Sequence, residues 1–304
     1  MRKLKKPRSS KAKLVFFGNE RLATAVSTDA PTLRALVAAG YEIKAVVSTH
    51  AEQISRQKRT LEIIDVAHAY HIPVHLPEKL SSIKNVLQKT AAEAAVLVAY
   101  GKIIPQEIID IFPGGIINIH PSLLPKLRGS TPVETAILNG LEETGVSLMK
   151  LTAEMDAGPV YAQQTVPLSG SETKPELALK LLNEGCQLLL DHLDGILAGS
   201  LMPEPQDETA ATYTRLLTKP DGHLDFSEPA ELVERKVRAF LGFPKTRAKI
   251  FNREIVITKA RLAASRRDGD LVLECQPGYL EILELTAPSG RTMTGSEFIR
   301  GYQR

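Results

Sequence analysis

The sequence predicts an α/β chain: a doubly wound parallel sheet followed by a small β-barrel of the oligonucleotide-binding type. Three observations predict it. Short apolar runs alternate with segments of helical periodicity over the first two thirds of the chain. An acidic, proline-rich stretch, Met202-Pro203-Glu204-Pro205-Gln206-Asp207-Glu208, then interrupts that pattern. Beyond it lie short β-rich runs bounded by glycine or proline. At about 150 residues per domain, a chain of 304 residues is long enough for two.

The elements follow in order. Leu14-Val15-Phe16-Phe17 is a continuous apolar run that ends at Gly18 and reads as a buried strand. Helical spacing over 31–39 stops at Gly40, and 42–47 is a second strand rich in β-branched residues. A polar stretch leads to a helix over 61–70, ended by Pro73, and a further helix is expected over 80–89. Residues 95–99 form a buried strand, Pro105 opens a helix where its missing N–H costs nothing, and 116–120 is the fourth strand. This alternation is that of a Rossmann-like sheet. Strands over 145–151 and 160–166 are joined through Asp156-Ala157-Gly158-Pro159, and a long amphipathic helix covers 176–198. The second domain reads as a helix over 229–241 and strands over 246–251, 254–262, 270–275 and 279–286.

Composition narrows the classes of function. No apolar run approaches the roughly 20 residues of a membrane span, and the charged N-terminus lacks the apolar segment of a secretory signal. Cys186 and Cys275 are too far apart in sequence for a CxxC pair, which argues against a disulfide scaffold and fits a reducing cytoplasm. No GxGxxG follows the first strand, so the dinucleotide-binding fingerprint is missing. His68, His71 and His75 are interrupted by Pro73, and no metal is expected.

Charge is unevenly distributed. Residues 1–13 hold seven basic residues and no acidic one, 14–209 carry a net of −8, and 210–304 a net of +4. Within 235–267 there are eleven basic residues against the single Glu254. Arg247, Lys249, Arg253, Lys259 and Arg261 alternate with apolar positions and are expected to line one face of the barrel, a strip suited to a polyanion.

The chemistry points to Asn118-Ile119-His120-Pro121. Residues two apart in a strand share a face, so Asn118 and His120 project together. Pro121 ends the strand and leaves both at its C-terminal edge, where ligands bind in open α/β sheets. An amide can donate to a developing oxyanion, and an imidazole can stabilise it or move protons. A carboxylate that orients the histidine completes such a set, and Asp156 in its tight turn is the candidate. Taken alone, an Asn-x-His at a strand end serves a local turn equally well, as does an Asp that bonds its own backbone.

Asn118-x-His120-x-Ser122-Leu123-Leu124-Pro125, Arg128-Gly129, Gly145-Val146-Ser147 and Asp156-Ala157-Gly158-Pro159 together resemble the core of the folate-dependent formyltransferases. The resemblance implies that Asn118, His120 and Asp156 are a catalytic trio, with Asn118 on the formyl oxygen and a charged His120 oriented by Asp156. It also implies that Ser122, Leu123, Leu124 and Pro125 contact 10-formyltetrahydrofolate, and that Tyr100 and Gly101 line its pteridine pocket. Pro205-Gln206-Asp207-Glu208-Thr209, Tyr213, Leu224-Asp225-Phe226 and Val237-Arg238-Ala239-Phe240 resemble the branch that formylates initiator methionyl-tRNA.

On that basis the chain divides into a basic tail (1–13), a catalytic domain (14–203), a linker (204–212) and a tRNA-binding barrel (213–304), and is expected to act as a monomer. The tRNA contacts implied are Arg56, Lys58 and Arg59 in the 49–60 loop, with Arg247, Lys249 and Lys259 on the barrel. Rival readings are a sugar-nucleotide formyltransferase and a non-catalytic RNA-binding protein on the same scaffold. The sequence departs from the family pattern at Gly18-Asn19-Glu20-Arg21, usually Gly-Thr-Pro. It departs again in the 49–60 loop and at Gly242-Phe243-Pro244, usually Trp-Pro.

Overall fold

The computed structural model describes residues 11–23, 25–49, 61–266 and 271–302. The larger half runs β1 (Lys13–Gly18), α1 (Pro31–Ala38), β2 (Glu42–Val47), α2 (Glu62–Ala69), β3 (Val74–His75), α3 (Lys84–Lys89), β4 (Ala94–Val98), α4 (Gln106–Ile109), β5 (Ile116–His120), α5 (Pro132–Leu138), β6 (Glu143–Lys150), β7 (Val160–Pro167) and α6 (Lys174–Ala198). Its seven strands are ordered β3-β2-β1-β4-β5-β6-β7. The first five are parallel, and β6 and β7 are antiparallel to their neighbours. The sheet is therefore mixed at the β7 edge, where β6 runs back against β5 after the connection through α5, and β7 returns along β6.

The apolar runs are continuous because the sheet is covered on both sides. Leu14 and Phe16 join one core with Leu33 and Leu36 of α1, Ile63 and Val66 of α2, and Leu177, Leu181 and Leu188 of α6. Val15 and Phe17 face the other, with Leu87 of α3 and Ile108 and Ile109 of α4. The strand carrying His120 is the fifth in the chain, not the fourth. Val74–His75, with two residues, has no periodicity to read. The segment expected as one helix over 80–89 is a 3₁₀ turn, Leu80–Ile83, followed by α3.

The smaller half contains α7 (Ala230–Ala239), β8 (Thr246–Ile250), β9 (Arg253–Ala263), β10 (Val272–Glu274), β11 (Tyr279–Thr286), β12 (Thr292–Thr294) and α8 (Gly295–Tyr302). Its strands form a curled antiparallel sheet in the order β10-β11-β9-β8, with β12 also on β11. This is a half-barrel, since no ladder among the described residues joins β8 to the far edge. Val233 and Val237 of α7 and Phe298 of α8 fill its concave side with Ile255, Ile257, Leu280 and Leu285.

The halves meet at a seam with both polar and apolar contacts. Lys174, with 0% of its side chain exposed, donates to the Phe243 carbonyl at 2.8 Å and faces Glu134 at 3.6 Å. Burial lowers the lysine pKa and raises that of the glutamate. Arg238 of α7 donates to the Glu172 carbonyl at 2.7 Å. Phe240 is inserted into the core of the larger half.

Candidate active site

The site forms at the C-terminal end of β5. Ile117 and Ile119 point into the α6 core, so alternation turns Asn118 and His120 to the opposite face. They are 6% and 4% exposed. Asn118 pairs across the sheet with Leu97 of β4 and Met149 of β6, and His120 with Ser147. Among the described residues nothing hydrogen-bonds the Asn118 side chain, which leaves a nearly buried amide able to donate to a bound group.

His120 has an acceptor on both sides of its ring. Its Nε2 lies 3.1 Å from the Leu127 carbonyl, and its Nδ1 lies 3.7 Å from Asp156 Oδ2. The carbonyl has no proton, so Nε2 carries the hydrogen of that bond. The approach to Asp156 is longer than a hydrogen bond, so Nδ1 faces that carboxylate with no hydrogen-bond partner among the described residues. Asp156 adopts a left-handed backbone (φ 50°), which Asp tolerates better than most residues. Its Oδ2 is held by the Gly129 N–H at 2.8 Å. Gly158 completes this turn because a Cβ there would stand 1.9 Å from the Lys150 carbonyl oxygen.

The loop after β5 is fixed by polar groups on β6 and β7. The Ser147 hydroxyl donates to the Ser122 carbonyl at 2.6 Å and accepts from the Leu124 N–H at 3.0 Å. Gln163 donates to the Leu124 carbonyl and to Ser147, both at 2.8 Å. Ser122, expected to touch folate, is fully buried, and its hydroxyl donates inward to the Lys126 carbonyl at 2.6 Å. Leu124 is buried as well, and only Leu123 and Pro125 of that quartet are half-exposed. Tyr100 is likewise turned inward. Its ring packs edge-on against Phe17 at 5.6 Å, and burial pushes its hydroxyl pKa up to about 12. The side chain belongs to the core, whereas Gly101 beside it is exposed.

Two buried charged residues have roles that their sequence motifs did not assign. Arg128 is 0% exposed, and all five of its N–H donors are used, by Gln206, Glu208 and Tyr213. Glu208, then Tyr213, raise its already high pKa. Glu20, in the loop after β1, is also fully buried. Its carboxyl accepts the Thr32 and Leu33 N–H groups, each at 2.8 Å. It supplies the cap that Ala30, the residue preceding α1, cannot. Burial pushes its pKa up to about 7 despite those bonds.

The basic strip is only partly as expected. Strand pairing puts Thr246, Ala248, Ile255 and Ile257 inward, so Arg247 and Lys249 face out. A bulge in the β9–β11 pairing resets the alternation, and Lys259 and Arg261 join them on the outer face. Arg253 pairs with inward Ile250 and stacks over Tyr302 at 5.0 Å, so it leaves the strip. The same pairing brings carboxylates to this face. Arg247 lies 3.6 Å from Glu254, Arg261 bonds Glu281 at 2.6 Å, and Lys259 stands opposite Glu284. Arg56, Lys58 and Arg59 lie outside the described residues, as do residues 1–10 of the basic tail.

Two family models match the chain: formyl transferase over residues 13–193 and the formyl transferase C-terminal domain over 216–303. The chain belongs to the formyltransferase family. A methionyl-tRNA formyltransferase of Halorhodospira halophila is 34% identical and covers 95% of this formyltransferase and 96% of its own length. One from Janthinobacterium is 35% identical, with 95% and 97% covered. Among solved structures, an N-formyltransferase of Helicobacter canadensis in complex with folinic acid and dTDP-3-aminofucose superposes with a TM-score of 0.64 at 18% identity, covering 93% of this chain and 98% of that one. HypX of Aquifex aeolicus in complex with tetrahydrofolic acid gives 0.67 at 17%, covering 97% of this chain and 48% of that one. At such identities the two structures show a shared fold.

Proposed function

We propose that this formyltransferase moves the formyl group of 10-formyltetrahydrofolate to the amino group of initiator methionyl-tRNA. The observation that carries the chemistry is the convergence of Asn118, His120 and Asp156 at one buried strand end, with the Asn118 amide unengaged. Full-length similarity to methionyl-tRNA formyltransferases, through both halves, supports the choice of acceptor.

In this reading the amine nitrogen bonds to the formyl carbon, the bond from that carbon to N10 of the folate breaks, and one proton passes from the amine to N10. Asn118 donates to the formyl oxygen as negative charge develops there, as an oxyanion-hole donor does. His120, held through Nε2 by Leu127, can hold or pass the proton. Asp156, facing the ring at 3.7 Å, keeps the imidazole oriented. The half-exposed Leu123 and Pro125, with the backbone at Gly101, offer an apolar wall for the pterin. Catalytic and donor-binding residues lie in 14–203, and the half-barrel over 213–304 contacts the tRNA, with Arg247, Lys249 and Lys259 on its outer face.

The test is formyl transfer from 10-formyltetrahydrofolate to initiator methionyl-tRNA, with amino-sugar nucleotides as competitors. Formylmethionyl-tRNA should accumulate undiminished by the sugar nucleotide. Formylation of the amino sugar without formylation of the tRNA overturns the proposal.

A further inference from the structure

The acidic, proline-rich stretch after α6 is docked at intervals, through Glu204, Gln206 and Glu208, and the chain beyond it through Thr212 and Thr214. Glu204 exchanges two backbone hydrogen bonds of 2.8 Å with Val160 at the start of β7. The Thr212 carbonyl accepts the Arg128 N–H at 2.9 Å, and its hydroxyl accepts the Leu127 N–H at 2.8 Å. The Thr214 N–H donates to the Arg128 carbonyl at 2.7 Å. Residues 204–214 thus form a strap across the loop that carries Leu127 and Gly129, the two residues touching His120 and Asp156.

Gln206 is the centre of this strap. Its Nε2 donates to the carbonyls of Asp156 and Gly158, both at 2.7 Å. Its Oε1 accepts from Arg128 Nε at 3.0 Å and Nη2 at 2.8 Å. Both N–H donors and both lone pairs of the amide are therefore used. Arg128 is in turn gripped by Glu208 through both terminal nitrogens, at 2.9 and 2.7 Å. The Asp156 turn needs such a clamp, because a non-glycine residue with positive φ persists only where its surroundings fix it. Gly129 holds the Asp156 carboxylate and Gln206 holds its carbonyl.

We propose that Gln206, supplied by the segment between the two halves, is a positioning residue that sets Asp156 against His120. The strap is then part of the catalytic apparatus, and its docking sets the rate of the chemical step. This rests on the reading of Asp156 as the partner of His120.

The experiment is a double-mutant cycle in the full-length protein, measuring formyl transfer to methionyl-tRNA. Gln206→Glu keeps an acceptor for Arg128 but turns the two donors into an oxygen facing two carbonyl oxygens. Gln206→Met removes all four bonds at similar volume. Each should lower kcat by about 10²-fold, the scale of a small misplacement at a reacting centre, with KM for both substrates unchanged. In an Asp156→Ala background neither should lower kcat further, since residues acting through one another are not additive. Full kcat in Asp156→Ala alone overturns the trio and this inference with it. An impaired Asp156→Ala with unimpaired Gln206 variants, or with losses that add, overturns the positioning role alone.

Discussion

The Asp156 carboxylate faces the His120 ring at 3.7 Å while the oxygen nearest the ring already accepts the Gly129 N–H at 2.8 Å. The pair is therefore aligned without being closed by a hydrogen bond, and its coupling is chiefly electrostatic. Asp156→Asn retains an oxygen for Gly129 but removes the charge. The expected result is a kcat lower by about 10²–10⁴-fold, the usual range for disabling an acid–base group. Single-turnover rates on bound substrates check this, and an unchanged rate would make the carboxylate a bystander.

Asn118→Ala should lower kcat by about 10²–10³-fold, the cost of one oxyanion donor. Because its amide bonds nothing among the described residues, the variant should melt close to the wild type. Folate binding, measured by calorimetry, should change little. Near-normal turnover would assign the oxyanion contact elsewhere.

Glu20 predicts a pH-dependent stability. Its folded pKa of about 7 lies above the ordinary value of 4.5, so the folded state holds a proton that the unfolded state releases. Its contribution is complete below about pH 4.5 and is lost as pH rises through about 7. Over that window the unfolding free energy should fall by about 3 kcal/mol more in the wild type than in Glu20→Gln. Denaturant titrations at several pH values measure it, and parallel pH profiles would remove Glu20 as the source.

The outer face of the half-barrel predicts a weak salt dependence. Three independent phosphate contacts by Arg247, Lys249 and Lys259 would contribute about 2 to the slope of log K against log salt. With Glu254 and Glu284 on the same face, replacing all three cations with Gln should flatten the slope by less than that. Glu254→Gln with Glu284→Gln should tighten tRNA binding at low salt. Unchanged binding in the glutamate variants would show that this face turns away from the RNA.

What could be read from the sequence was whatever is local. β1, β2, β4 and β5 show as apolar runs because the sheet buries both faces, and α6 shows by its periodicity and its terminal Gly199. Asn118 and His120 were placed together by strand alternation alone. Short elements escaped: α5 begins at Pro132 directly after a loop, and α8 follows a three-residue strand near the chain end. The rest depended on partners distant in sequence. Composition at 204–212 suggests a solvated linker, whereas Gln206 and Glu208 find their anchor in Arg128, about 80 positions earlier. A linear charge count could not see that β11 would bring Glu281 and Glu284 beside the cations of β9. Nor could it show that Glu20 would be buried at the start of a helix lacking its own cap.

Lys174 limits how the molecule can meet a large substrate. Its ammonium is enclosed between a carboxylate of the larger half and a backbone carbonyl of the smaller. Swinging the halves apart would break that contact and the Arg238–Glu172 one, and would draw Phe240 out of the core of the larger half into water, which is unfavourable. These contacts favour halves that keep their spacing over jaws that open and shut on their cargo. A macromolecular substrate then meets two surfaces held at one spacing, and the adjustment falls to loops and to the substrate.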